Sequence, residues 1–271
     1  MSPSSHPVFT RLRGLAQAGP IVVAHRGDSR HCPENTLAAF RAAADAGVAM
    51  QEFDVRCTRD GVLVCLHDAS LDRTTDSAAA LGPGALVAQA TWPELQRLDA
   101  GGWHSRDWRG ERIPRLHDAL AVMRDRCVPM IEHKAGTPAD YVAVLRQQAM
   151  AGQCIVQSFD WEFVRAAGQL APELALAVLG PTPANPRLDA TVITTAKALG
   201  AGLVHWHARE LSGDSVAAAH AAGLLVCSYT TDDDLAWSGG AALGFDAMCT
   251  NDPRPRLAGT SGRQAPNGPE R

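Results

Sequence analysis

Short apolar runs alternate along this chain with longer stretches in which apolar residues return every three or four positions. Runs at 21–24, 51–55, 62–66, 128–134, 154–159, 174–179, 203–207, 224–229 and 247–250 read as strands. The spacing between them predicts helices over 37–47, 117–126, 139–151, 161–170, 191–199, 214–222 and 233–243. In the first of these Leu37, Phe40, Ala44 and Val48 keep helical spacing, Asn35 or Thr36 can cap the start, and Gly47 ends it. Strands taken in turn with helices imply parallel βα units. Nine candidate strands are one too many for a closed eight-stranded barrel, so one lies outside it or is misassigned. The missing helix between Val55 and Val62 marks the irregular point. The fold class is therefore α/β, a TIM (β/α)8 barrel with a small inserted subdomain after the third strand.

From about 73 to 112 the periodicity is lost, apart from a short helix near 92–98. That is too long for an ordinary βα connection and predicts an inserted subdomain or lid. Trp103 and Trp108 are expected in its small core. The barrel domain is expected over 20–257, with 1–19 as an N-terminal tail. Residues 258–271, rich in Gly, Pro, Arg and Ser, are expected to form a disordered tail.

The chemistry begins at 50–68. Alternation over 51–55 puts Glu52 and Asp54 on one strand face and Phe53 and Val55 on the other. Two carboxylates side by side in a fold interior need a cation, and a hard divalent ion with oxygen ligands is the natural one. Asp60 and Gly61 turn the chain, and His67-Asp68 stands at the end of the next apolar run. Other strands end in the same way, with His25 and Arg26 after 21–24, and Glu132 and Lys134 on one face of 128–134. A parallel barrel brings all such ends to one rim. Three carboxylates, a divalent ion, Arg26 and Lys134 leave one net positive charge, which matches a singly negative phosphodiester. Two histidines beside it could serve as general base and general acid.

Composition narrows the alternatives. A hydrophobic fraction of 46% supports a sizeable core, and 271 residues suit one barrel of the usual size. The net charge of -4, with scattered arginines, gives no support to a nucleic-acid partner. Seven cysteines without a C-x-x-C pair read as buried thiols in a reducing compartment. No segment reaches transmembrane length and the N-terminus does not resemble a signal peptide, so a cytoplasmic protein without stable membrane insertion is expected. Its oligomeric state is left open.

HRG at 25–27, PENT at 33–36, EFDV at 52–55, the HD at 67–68, LDRTT at 71–75, LDAG-W at 98–103, IP-x-L at 113–116 and E-x-K at 132–134 occur here in order. This ordered set, over about 22–253, resembles the glycerophosphodiester phosphodiesterase family, and the bacterial cytosolic type most. The resemblance implies a TIM barrel with an insertion after the HD strand. It implies hydrolysis of small-molecule glycerophosphodiesters to sn-glycerol 3-phosphate and an alcohol, with Mg2+ or Ca2+. It places His25 and His67 on the catalytic acid/base pair, Glu52, Asp54 and Glu132 on the metal ligands, and Arg26 and Lys134 on the phosphate.

Three positions depart from the family pattern. His133 replaces an apolar residue and, on the face opposite Glu132, is expected to pack in the helix layer. Asp232 stands where Asn is usual and is expected to add negative charge near the site. Asn251, within TND at 250–252, stands in a stretch that usually reads ITD and is expected to have no consequence. Asp72-Arg73 reads as a local ion pair, Glu34 as a supporting or helix-start residue, and His205 and His207 as core or hydrogen-bonded histidines rather than substrate contacts. Two other functions fit a barrel of this kind. One is a phospholipase D-like lyase forming a cyclic phosphate, a branch whose members are secreted and disulfide-bearing. The other is a non-catalytic glycerophosphodiester sensor, which would require loss of site residues.

Overall fold

In the computed structural model, which describes residues 5–258, nine strands form one sheet. They are β1 (Ile21–His25), β2 (Met50–Cys57), β3 (Leu63–Cys65), β4 (Val128–His133), β5 (Ile155–Ser158), β6 (Ala175–Gly180), β7 (Ala201–His207), β8 (Leu225–Tyr229) and β9 (Ala247–Thr250). β1 pairs in parallel with both β2 and β9, and parallel pairing from β2 through β4 to β9 closes an eight-stranded TIM barrel. The surplus strand is β3. β3 pairs antiparallel with β2, so the chain between Cys57 and Leu63 is a hairpin turn and needs no crossover helix. The inserted segment follows β3. Its short helices enclose a separate apolar cluster of Val64, Leu71, Val87, Leu95, Leu98 and Ile113.

Alternate residues of each strand face opposite ways, and the two faces are filled differently. Outward residues such as Phe53, Val55, Ile131 and Val204 pack against the surrounding helices. Inward residues change along the strand. They run Ile21, Val23, His25 on β1, Met50, Glu52, Asp54 on β2, and Val128, Met130, Glu132 on β4. The first members of each series are buried in a second apolar cluster inside the barrel. The last members meet at its carboxyl end.

The amino end of the barrel is closed by a helix, α1 (Pro7–Ala16). The described part of the expected N-terminal tail, 5–19, is thus not simply a tail. Val8, Phe9 and Leu12 recur at helical spacing and are buried against the lower interior residues. Gly202 makes room for this plug, since a Cβ there would stand 2.3 Å from the Phe9 ring. The segment 258–271 lies outside the described residues, save that the last helix, Arg254–Ala258, includes its first. Among the described residues no helix is long and apolar enough to cross a membrane. All seven cysteines are free, and all but the half-buried Cys57 are buried.

Candidate active site

Strand register places the acidic residues. Asp54 lies opposite Glu132 across β2 and β4, and Glu52 lies opposite His25 across β1 and β2. A ligand oxygen of each of Glu52, Asp54 and Glu132 lies within 4.8 Å of the others, in a buried cluster. Like charges so close oppose one another, and burial adds to this. Burial, then the Asp54 charge, pushes the Glu132 carboxyl up to about 7, and the same causes hold Glu52 well above the carboxylate range. Asp54 stays below its ordinary value because Arg26 and Lys134 outweigh its burial. Arg26 Nε lies 3.2 Å and Lys134 Nζ 3.3 Å from Asp54, and Lys134 also contacts Glu132. Glu52 Oε2 is buried without a hydrogen-bond partner and sits 3.8 Å from His25 Nε2. A trio of buried carboxylates with one oxygen unpartnered fits a hard divalent cation.

Local backbone aims these groups. Arg26 has φ 57° and its N–H donates to Glu52 O, which turns the chain sharply off β1. Gly27 follows at φ 80°, where a Cβ would stand 2.7 Å from the Ala39 backbone, so no other residue fits without movement. Thr36 caps α2 (Leu37–Asp45). Asn35, at φ 57°, does other work: its Nδ2 donates to Asp54 Oδ2 at 2.9 Å, and its Oδ1 accepts from the Asp54 N–H at 3.2 Å.

The two histidines are each held at Nδ1. His25 Nδ1 is 2.7 Å from Asn251 Oδ1, and His67 Nδ1 is 2.6 Å from Asp68. Burial lowers the pKa of both below the ordinary imidazole value. Behind His67, Arg73 joins Asp68 to Glu34 with a two-pronged contact, and Glu34 also accepts from Arg26 at 2.9 Å. Arg73 therefore pairs with Asp68 and Glu34, not with Asp72, whose carboxylate accepts from Ser77 and Gly84 instead. Glu34 is the bridge between the two arginines.

Every residue singled out from the strand ends reaches this rim. His133 faces the helix layer, stacked on Phe163 at 3.5 Å and hydrogen-bonded to Ser158 and Gly136. His205 is buried against Gln157, and its pKa falls to about 3 because burial penalises the charged ring. His207 packs edge-on against Tyr229. Besides the Asp72-Arg73 pair, two more expectations fail. Trp103 is 40% exposed and lines a cavity of about 530 Å³ beside His25, Arg26 and Asn251, instead of joining the core of the insertion. Asn251 is not inconsequential, since it holds His25, and Asp232 holds Asn251 in turn. The signal for Asn251 lay in the period of two: Ala247, Cys249 and Asn251 are successive inward positions at the end of β9.

An eight-stranded parallel barrel with buried carboxylates, two cations and two held histidines at its carboxyl rim belongs to the enzyme-bearing TIM barrels. Comparison with known proteins makes the class definite. The family model "Glycerophosphoryl diester phosphodiesterase family" matches residues 25–254, and the chain belongs to that family of phosphoric diester hydrolases. A glycerophosphodiester phosphodiesterase of Caldanaerobacter subterraneus is 35% identical over 166 residues, covering 59% of this chain and 66% of its own. One from Bacillus subtilis is 28% identical over 251 residues, covering 84% and 83%. The structure of an Oleispira antarctica phosphodiesterase, in complex with the product sn-glycerol-3-phosphate, superposes with a TM-score of 0.80. It is 28% identical and covers 91% of this chain and 99% of its own.

Proposed function

We propose that the protein hydrolyses glycerophosphodiesters to sn-glycerol 3-phosphate and an alcohol, with a divalent ion and the two rim histidines, as a step in glycerophospholipid breakdown. The observation that carries this reading is the buried trio of Glu52, Asp54 and Glu132 beside two histidines whose Nδ1 atoms are both engaged. The trio would hold the ion, Mg2+ or Ca2+, which when bound polarises a phosphoryl oxygen and offsets charge that grows on it. Arg26 and Lys134 would contact the remaining phosphate oxygens. The product bound by the Oleispira relative supports the substrate class.

The partners of the histidines suggest how they divide the proton transfers. Asp68 is a carboxylate and stabilises an imidazolium, so His67 suits the proton donor to the departing alkoxide. Asn251 is neutral, so His25 suits the acceptor that takes a proton from the attacking water. Each would use Nε2, the ring nitrogen not engaged by its partner.

The test is direct. Purified protein with Mg2+ is expected to convert glycerophosphocholine or glycerophosphoethanolamine to sn-glycerol 3-phosphate, followed by phosphorus NMR and a coupled dehydrogenase assay. EDTA is expected to abolish turnover, and phosphomonoesters to react poorly. No cleavage with Mg2+, Mn2+ or Ca2+ would leave a binding protein. A stable cyclic phosphate product would make it a lyase. A rate untouched by EDTA would remove the three carboxylates from the metal-ligand role.

A further inference from the structure

His25 is engaged by an amide, and an amide can face either way. Asn251 presents one end to His25 Nδ1 and the other to Asp232, so its orientation decides which proton arrangement the imidazole must adopt. With Oδ1 toward the ring, Nδ1 must carry the proton. With the NH2 toward the ring, Nδ1 must be bare and Nε2 protonated.

Asp232 breaks the tie. Its Oδ2 lies 2.7 Å from Asn251 Nδ2, and its Oδ1 accepts from the Asn251 backbone N–H at 2.8 Å. Thr250 Oγ1 donates to the same Oδ1 at 3.0 Å, so the carboxylate is gripped by three donors. A carboxylate only accepts, and a flipped amide would set oxygen against oxygen at that distance. Ser29 does not discriminate, since its single hydroxyl hydrogen can go to His25 O at 2.8 Å or to Asn251 Oδ1 at 3.1 Å, and its oxygen can accept from either face of the amide. We propose that Asp232, exposed on the rim and out of contact with His25, is a positioning residue: through Asn251 it holds His25 with the proton on Nδ1 and the Nε2 lone pair turned toward Glu52 and the site. The consequence for turnover rests on the reading of His25 as proton acceptor given above; the relay itself does not.

The relay also accounts for an acid and an amide standing where the sequence pattern leads one to expect other residues. The pair should work with its members exchanged. In an Asp232→Asn, Asn251→Asp double variant, the amide introduced at position 232 could donate from its nitrogen to the new carboxylate and accept the backbone N–H at its oxygen. The carboxylate at position 251 would still accept from His25 Nδ1. Asn251→Asp alone sets two carboxylates face to face and cannot do this.

The experiment uses the full chain with Mg2+ and nitrogen-15-labelled histidine, at about pH 8.5, well above the ordinary imidazole pKa. The His25 resonances are assigned by their loss in His25→Gln. The parent is expected to show a protonated Nδ1 and a bare Nε2. Asp232→Ala should shift His25 toward a mixture of tautomers and lower kcat about tenfold, within the range for groups that orient a catalytic side chain. KM and the thermal midpoint should hardly move. Asn251→Asp should lose about a hundredfold, and the double variant should recover both kcat and the Nδ1–H signal. A parent-like Nδ1–H signal in Asp232→Ala, or a double variant no better than Asn251→Asp, overturns the relay. A shifted tautomer with unchanged kcat upholds the relay and removes His25 from acid/base chemistry.

Discussion

At the end of the barrel that α1 closes, Phe9 and Leu12 are buried among Ile21, Met50 and Val128, an apolar interior plugged by a helix. At the other end, two to four residues further along the same strands, the inward positions carry His25, Glu52, Asp54 and Glu132. The first end satisfies every rule of a stable core. The second breaks several at once, with buried like charges and an unpartnered carboxylate oxygen. The plug and the helix layer supply stability that the rim does not, and under the proposed function a cation and an anionic substrate would relieve the rim's strain.

This contrast can be broken from the apolar side first. Phe9→Ala should cost about 3–5 kcal/mol of stability by opening a cavity under the barrel, while kcat in the folded fraction stays near the parent value. Denaturant unfolding and turnover on the same sample check it. A stable variant would mean that α1 is not the plug, and a fall in kcat would mean that the two ends are coupled.

From the rim, His25→Ala and His67→Ala should each lower kcat by about two orders of magnitude or more, as for acid/base groups, with the thermal midpoint little changed. Near-parent turnover on a substrate with a poor leaving group would exclude the residue concerned.

Glu132→Gln sharpens the contrast, because it should weaken metal and steady the empty site. Metal affinity should fall at least about tenfold by calorimetry. The folded carboxyl at about 7 lies above its ordinary 4.5, so the metal-free fold keeps a proton there that the unfolded chain releases. Stability of the metal-free protein should therefore decline as pH rises from about 4.5 to 7. Mg2+ should reverse the slope, because it binds the deprotonated form. The Gln variant should show a shallower decline, read from thermal midpoints across pH. An unchanged slope would place the strain elsewhere.

The smallest effect is expected at the insertion. Trp103→Ala should change KM severalfold, about 1 kcal/mol or less, and differently for different head groups, with stability unaffected. Equal KM on every head group would remove Trp103 from the substrate cavity.

Most of the barrel and all seven proposed site residues were legible in the chain. Strand periodicity, the helix spacing and the polar residues at strand ends are local signals, and one rim gathers them once the strands are parallel. The roles of Arg73, Glu34, Asn35 and Asn251 were not legible in the same way. Arg73 has Asp72 beside it, and only the fold shows it reaching across 39 positions to Glu34 instead. Asn35 is a good helix cap by type, and its left-handed backbone and its hold on Asp54 depend on where β2 lies. Trp103 reads as core by composition, yet the insertion buries smaller residues and leaves it at the cavity.

By itself, then, the sequence determined the alternation that makes the barrel, the face on which each charged residue stands, and the family. Those follow from periods of two and 3.6 residues and from short motifs, which act over a few positions. Tertiary structure alone decided that α1 closes the barrel and that Asp232 reaches His25 through Asn251. Each of these joins groups far apart along the chain. The closure of the sheet sets their distances, and no local pattern encodes them.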